Sequence, residues 1–462
     1  MDFQKIIDDV PDYKAFLTVD EMDSESLALA KEFPDICSVK KVGESRSGHP
    51  MYCLKIGNGP KKALLFGLPH PNEPMGAMML TYLSRKLCTD DAFREASGYT
   101  WYMIKAADID GAVLNEGWFK GPITLTNYAR HFFRPTAEEQ VEWTFPVDFK
   151  TLHFHSPIPE TQALMKVMDE VKPDFMFSLH NSGFGGAYWY FNREAPEIYQ
   201  TIEKRTTDLG IPLHLGEPEA PYIKELYPAI FKLSGIDEEY SYYERFGDGT
   251  DPAKLISAGN SSDSYVKKYG TFCLVAELPY FYSPKITDTS PAGIQRADAA
   301  RKGLEIKRQL YKEISGLYDK YKTCVHESNH FTKMVEMMID ATESGYQTEL
   351  NFIDSNPDFK KECTVSQAFD SLEIVPFYCL LSLALCLRGA EFERDLAAGE
   401  DKEKLQGIVD EIQAVFDKRA MDIEKNTDYS VNPIRTLVRS QLSSGLTVME
   451  YLKGNKYGSN LL

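Results

Sequence analysis

The chain has 462 residues, with 51 Lys and Arg against 69 Asp and Glu, a formal net charge of −18. At roughly 100–200 residues per domain this length admits two or three domains, and 43% hydrophobic with 12% aromatic residues excludes a disordered or fibrous chain. The acidity argues against nucleic acid or an anionic membrane surface as partner, because both reward clustered Lys and Arg.

From the N-terminus, MDFQKIIDDV is acidic and lacks the basic start and apolar run of a secretory signal. The apolar pattern then predicts a strand at Met51–Ile56, a turn at 57–60 and a second strand at Ala63–Leu68. Pro74–Leu87 reads as a helix, Thr100–Ala106 as a strand, Glu160–Val171 as a helix and Asp174–Leu179 as a strand. Pro196–Leu209 is helical again, and Thr271–Leu278 is a strand. Such alternation implies an α/β sheet with helices on both faces. After Pro291 the period becomes helical: Gly293–Lys322 in one stretch, then 331–341, 365–390, 401–424 and 432–452. The expected division is an α/β unit over 1–305 and a helical region over 306–462.

The longest apolar stretch, Ile374–Leu387, has 14 residues interrupted by Pro376 and Ser382. It predicts a buried helix rather than a bilayer span. Eight scattered cysteines without a CxxC pair predict reduced core thiols in a cytoplasmic protein. The helical region leaves three roles open: packing on the α/β core, forming a wall of a cleft, or making a homodimer interface.

Two segments carry metal-ligand chemistry. His70-Pro71-Asn72-Glu73 follows the strand ALLFGL, and the run DFMFSLH ends in His180. A third apolar strand, TFCLVAEL, carries Glu277. Open α/β sheets place ligands outside the carboxyl ends of their strands. Two histidines and a carboxylate make a three-ligand zinc site with an open position, and a further carboxylate serves as general base. The second segment is His326-Glu327-Ser328-Asn329-His330, an HExxH pattern that on a helix would put both histidines on one face. Its polar middle and the charged helix before it favour a solvent-facing segment instead.

The ordered set GESRSG (43–48), HPNE (70–73), DIDG (108–111), SLH (178–180) and VAEL (275–278) resembles the zinc carboxypeptidase family, the carboxypeptidase A-like metallopeptidases. The resemblance covers about residues 40–285, with 107 positions from Glu73 to His180 and 97 from His180 to Glu277. It implies a mixed, mostly parallel sheet. It also implies one zinc ion per chain held by His70, Glu73 and His180, with Glu277 as base and Arg134 polarising the substrate carbonyl. The stretch SAGNSSDS (257–264) resembles the specificity loop, which brings in Ser262 and Asp263.

The chain also departs from the family pattern. Glu142 and Trp143 stand where the family has an Asn-Arg pair that grips a terminal carboxylate. Leu255 occupies the place of the mobile tyrosine, and Asn181 follows His180 in place of the usual serine. Tryptophan cannot replace a bidentate guanidinium clamp, so Arg130 or Arg193 would have to bind a carboxylate from another direction. The expectation is a zinc-dependent hydrolase of a peptide or N-acyl substrate, carboxypeptidase-like but with altered recognition. The alternatives are an amidase or deacylase of small N-acyl compounds, or a non-catalytic zinc- or ligand-binding homologue.

Overall fold

The computed structural model describes residues 3–454. In chain order the strands are β1 (Cys37–Glu44), β2 (Pro50–Ile56), β3 (Lys61–Gly67), β4 (Tyr99–Ile104), β5 (Val147–Phe149), β6 (Leu152–Phe154), β7 (Phe175–His180), β8 (Tyr188–Phe191), β9 (Glu225–Tyr227), β10 (Ile230–Lys232) and β11 (Phe272–Glu277). β5 and β6 form a separate hairpin. The others make a nine-stranded mixed sheet in the order β1-β2-β4-β3-β7-β11-β8-β10-β9. Its centre, β4-β3-β7-β11, is parallel. Every residue of β7 and β11 is buried, which is why these strands read as unbroken apolar runs. Antiparallel pairings flank that centre.

Helices α1 (Met75–Thr89), α2 (Pro159–Val171) and α3 (Pro196–Thr207) follow the predicted segments. Beyond them come α4 (Arg296–Tyr318), α5 (His330–Ser355), α6 (Val375–Leu396), α7 (Gly399–Asn426) and α8 (Ile434–Gly454). The long helix predicted from Gly293 begins at Arg296 instead. Pro291–Gln295 is a strand paired with Glu362–Thr364, and Gly293 takes a φ of +74° that a helix does not allow. The strands β1 and β8 carried no clear alternation and emerge only from their pairing.

Helices α4 to α7 pack on one another, while α8 returns to lie against α1, α3, β7 and β11. One hydrophobic core runs from the sheet into these helices. The 14-residue apolar stretch at 374–387, with Pro376 and Ser382 in it, sits inside an unbroken helical run, 365–396, that is 32 residues long. By length and composition that run could cross a membrane, and 61% of its most apolar window is buried within the protein. Phe377 packs on Tyr128, Phe184 and Phe281, so the segment lies on the chain just after His180.

An aromatic cluster backs the same region. Trp118 is fully buried, with ring centroids 5.3 Å from Phe16, 4.9 Å from Tyr128 and 5.3 Å from Tyr280. Trp118→Ala leaves a large cavity there and should cost about 3–5 kcal/mol, measured as a lower midpoint in urea unfolding.

Candidate metal centre

The centre is built where strand order reverses, between β3 and β7. After β3, Leu68 adopts a left-handed φ of +50° and turns the chain into His70–Glu73. Helix α1 then starts close against β7. A Cβ on Gly76 would fall 2.5 Å from the Leu179 side chain, so only glycine permits this approach. On the next strand, Glu277 is the register partner of His180.

These elements bring His70, Glu73 and His180 together, all buried, with ligand atoms within 4.8 Å of one another. The His70 and His180 ring centroids are 4.9 Å apart. His180 Nδ1 lies 3.0 Å from Glu73 Oε2 and 3.6 Å from Glu277 Oε1. Nδ1 of His70 is buried without a hydrogen-bond partner, and Nδ1 of His180 faces the Glu73 carboxylate at 3.0 Å without hydrogen-bond geometry. An imidazole nitrogen left unsatisfied beside a second imidazole and a carboxylate is costly unless a cation takes it, and the donor set suits zinc. His180 Nε2 meets Ser178 Oγ at 2.8 Å, which orients the ring, and the Asn181 amide donates to Glu73 Oε2 at 3.3 Å.

Burial, with Arg134 and His180 close by, holds His70 well below the usual imidazole range and so in the neutral, ligating form. Burial and the carboxylates of Glu73 and Glu219 push Glu277 well above the usual carboxylate range. Arg134 Nη1 is 3.8 Å from Glu73 Oε1, and its Nε donates to Gln140 Oε1 at 3.1 Å.

Glu142 is buried and accepts from Ser262 N at 3.1 Å and Ser262 Oγ at 2.6 Å, while its Oε2 has no partner. Burial raises it to about 7, against the lowering effect of His180. Asp263 is likewise raised by burial, to about 6. Trp143 is half-buried, and its carbonyl accepts from the Gly259 amide at 2.8 Å. Leu255 is 39% exposed and supplies no hydroxyl. Asn181 spends its side chain on Leu278 O (3.0 Å) and on the Tyr280 hydroxyl (2.9 Å).

Both alternative arginines already have partners. Arg130 pairs with Glu391 at 2.6 Å. Arg193 donates to Gly270 O at 2.7 Å, at the end of β11 opposite Glu277. The HExxH segment is not a single helix: His326 lies in a turn, and His330 opens α5 behind the cap Asn329. His326 Nδ1 bonds the buried Glu393 instead.

Sequence reasoning missed several supporting residues. Gln140, two positions before Glu142, orients Arg134. Glu219 accepts from the Tyr188 and Tyr190 hydroxyls at 2.6 Å each and adds negative charge near Glu277. Gln441, on α8, donates to His180 O at 3.2 Å. Ser45 and Ser47 of GESRSG bond Asp110 of DIDG, so those two motifs are one structural joint.

The site is a two-histidine, one-carboxylate centre with a further carboxylate beside it, the arrangement of a metal-dependent hydrolase. The family model for zinc carboxypeptidase matches residues 22–271, more than half of the chain, and the chain belongs to that family. No curated protein matches it. Among solved structures, carboxypeptidase A from Helicoverpa armigera is 16% identical with a TM-score of 0.38, over 57% of this chain and 65% of that one. A metallo-carboxypeptidase from Burkholderia cenocepacia is 16% identical with a TM-score of 0.31, over 57% and 60% of the two chains. The murein-tripeptide amidase MpaA from Escherichia coli O157 is 15% identical with a TM-score of 0.26, over 52% and 83%. The match thus spans less than two thirds of the first two structures' own length.

Proposed function

We propose that this protein is a zinc-dependent hydrolase of amide bonds that binds its substrate without an arginine clamp. The observation that carries the reading is the convergence of the buried His70, Glu73 and His180, with ligand atoms within 4.8 Å of one another and Glu277 in register on the adjacent strand. His70, Glu73 and His180 would hold a zinc ion, which when bound would supply Lewis acidity and make a water molecule easier to deprotonate. Glu277 accepts the proton of the attacking water and returns it to the leaving amine. Arg134, oriented by Gln140, places its charge where the carbonyl oxygen becomes anionic, commonly worth a few kcal/mol. The buried surroundings strengthen each of these interactions by excluding water.

Recognition favours an amidase or deacylase over a strict carboxypeptidase. Arg130 and Arg193 are engaged elsewhere, and Glu142 offers no positive charge to grip an anionic terminus. The proposed substrate is a peptide or N-acyl compound whose reacting end needs no free carboxylate. Matched peptides with free and amidated C-termini test this. Cleavage of the amidated series at rates equal to or above the free series is expected. A preference of more than about tenfold for the free terminus, equivalent to about 1.4 kcal/mol, would overturn it.

A further inference from the structure

A second set of metal-ligating side chains lies away from the triad, on the β5–β6 hairpin. Asp148 of β5 is the direct register partner of His153 of β6. His153 lies within β6 and His155 just past its end, and both are exposed. Both imidazoles turn onto a single oxygen: His153 Nδ1 is 2.7 Å and His155 Nε2 3.0 Å from Asp148 Oδ1. Their ligand atoms all lie within 4.8 Å of one another.

Fold stability gives no reason for this convergence. The side chains of Asp148, His153 and His155 are 64%, 60% and 59% exposed, and such solvated pairs contribute little. The hairpin is anchored instead by Leu152, in a small cluster with Ile236, Tyr240 and Ile256.

We propose that Asp148, His153 and His155 bind a second divalent ion of the Zn2+, Cu2+ or Ni2+ class, with water completing the coordination. Two imidazoles and one carboxylate suit those ions, whereas Mg2+ and Ca2+ require oxygen donors. The ion ties β5 to β6, two strands of three residues each that are marginal alone. The hairpin continues directly from Glu142–Pro146, and Phe145 exchanges backbone hydrogen bonds with Asn260 at 3.1 and 2.8 Å. The second ion therefore braces the segment that carries Glu142.

Calorimetric titration of the metal-free full chain with Zn2+ tests the proposal, since it reads binding and not turnover. Two equivalents are expected, the weaker one assigned to the hairpin. In a His153→Ala/His155→Ala protein that weaker constant should worsen at least tenfold, with the tighter equivalent unchanged. Asp148→Asn should weaken the same step, and His70→Ala should keep it while losing the tighter one. Because all three side chains are exposed, circular dichroism should show the variants folded. A single equivalent in the unaltered protein, or two unchanged constants in the double variant, would overturn the assignment.

Discussion

Glu277→Gln should lower turnover by about 10²–10⁴-fold, the usual contribution of a positioned general base, with the zinc content of the triad unchanged. The substitution keeps the shape of the side chain at the end of β11 and removes its ability to take a proton. It leaves His70, Glu73 and His180 in place. Loss of folding can be separated from loss of chemistry by the sign of the stability change. Burial, Glu73 and Glu219 raise the Glu277 carboxyl well above its unfolded value. In the metal-free protein its stabilising contribution is therefore present at low pH and lost as pH rises through the folded value. A neutral glutamine avoids that loss, so metal-free Glu277→Gln should melt at or above the temperature of the unaltered protein at pH 8. Full turnover with zinc retained would remove Glu277 from the role of base.

His70→Ala should abolish turnover together with the tightly held zinc, whereas His326→Ala should leave both as they were. The contrast follows from what each nitrogen faces. His70 Nδ1 is buried and unpartnered beside Glu73 and His180, while His326 Nδ1 already bonds Glu393 and its side chain is 61% exposed. Elemental analysis of the two proteins after dialysis against a weak chelator decides between them. Zinc lost only from His326→Ala would move the metal centre to the HExxH segment.

Much of this centre was legible in the sequence because its residues sit where physics restricts choice. His180 and Glu277 are polar groups closing apolar strands, and a buried carboxylate without a purpose is costly. His70 and Glu73 follow a strand directly, at the edge where parallel sheets bind ligands. The central strands and α1, α2 and α3 were visible for a related reason: burial on both faces or along one stripe imposes an apolar period. β8 was harder to see, since a strand of four residues is too short to display alternation. The start of α4 falls after Gly293 because Pro291–Gln295 pairs as a strand with a segment about 70 residues away, which no local period announces.

The sequence by itself determined the α/β class and offered the candidate ligand set with Glu277 beside it, because residue type and local period encode them; the departure at Glu142 and Trp143 is visible only through the resemblance to the family. Only the tertiary structure decided that Arg130 and Arg193 are engaged elsewhere, that α8 supports His180 through Gln441, and that the apolar helix packs behind the site. It alone also gathered Asp148 with His153 and His155 at one hairpin. All but the last depend on which distant groups meet. Contacts between residues 77 to 261 positions apart leave no period in the chain, so nothing in the order of residues announces them.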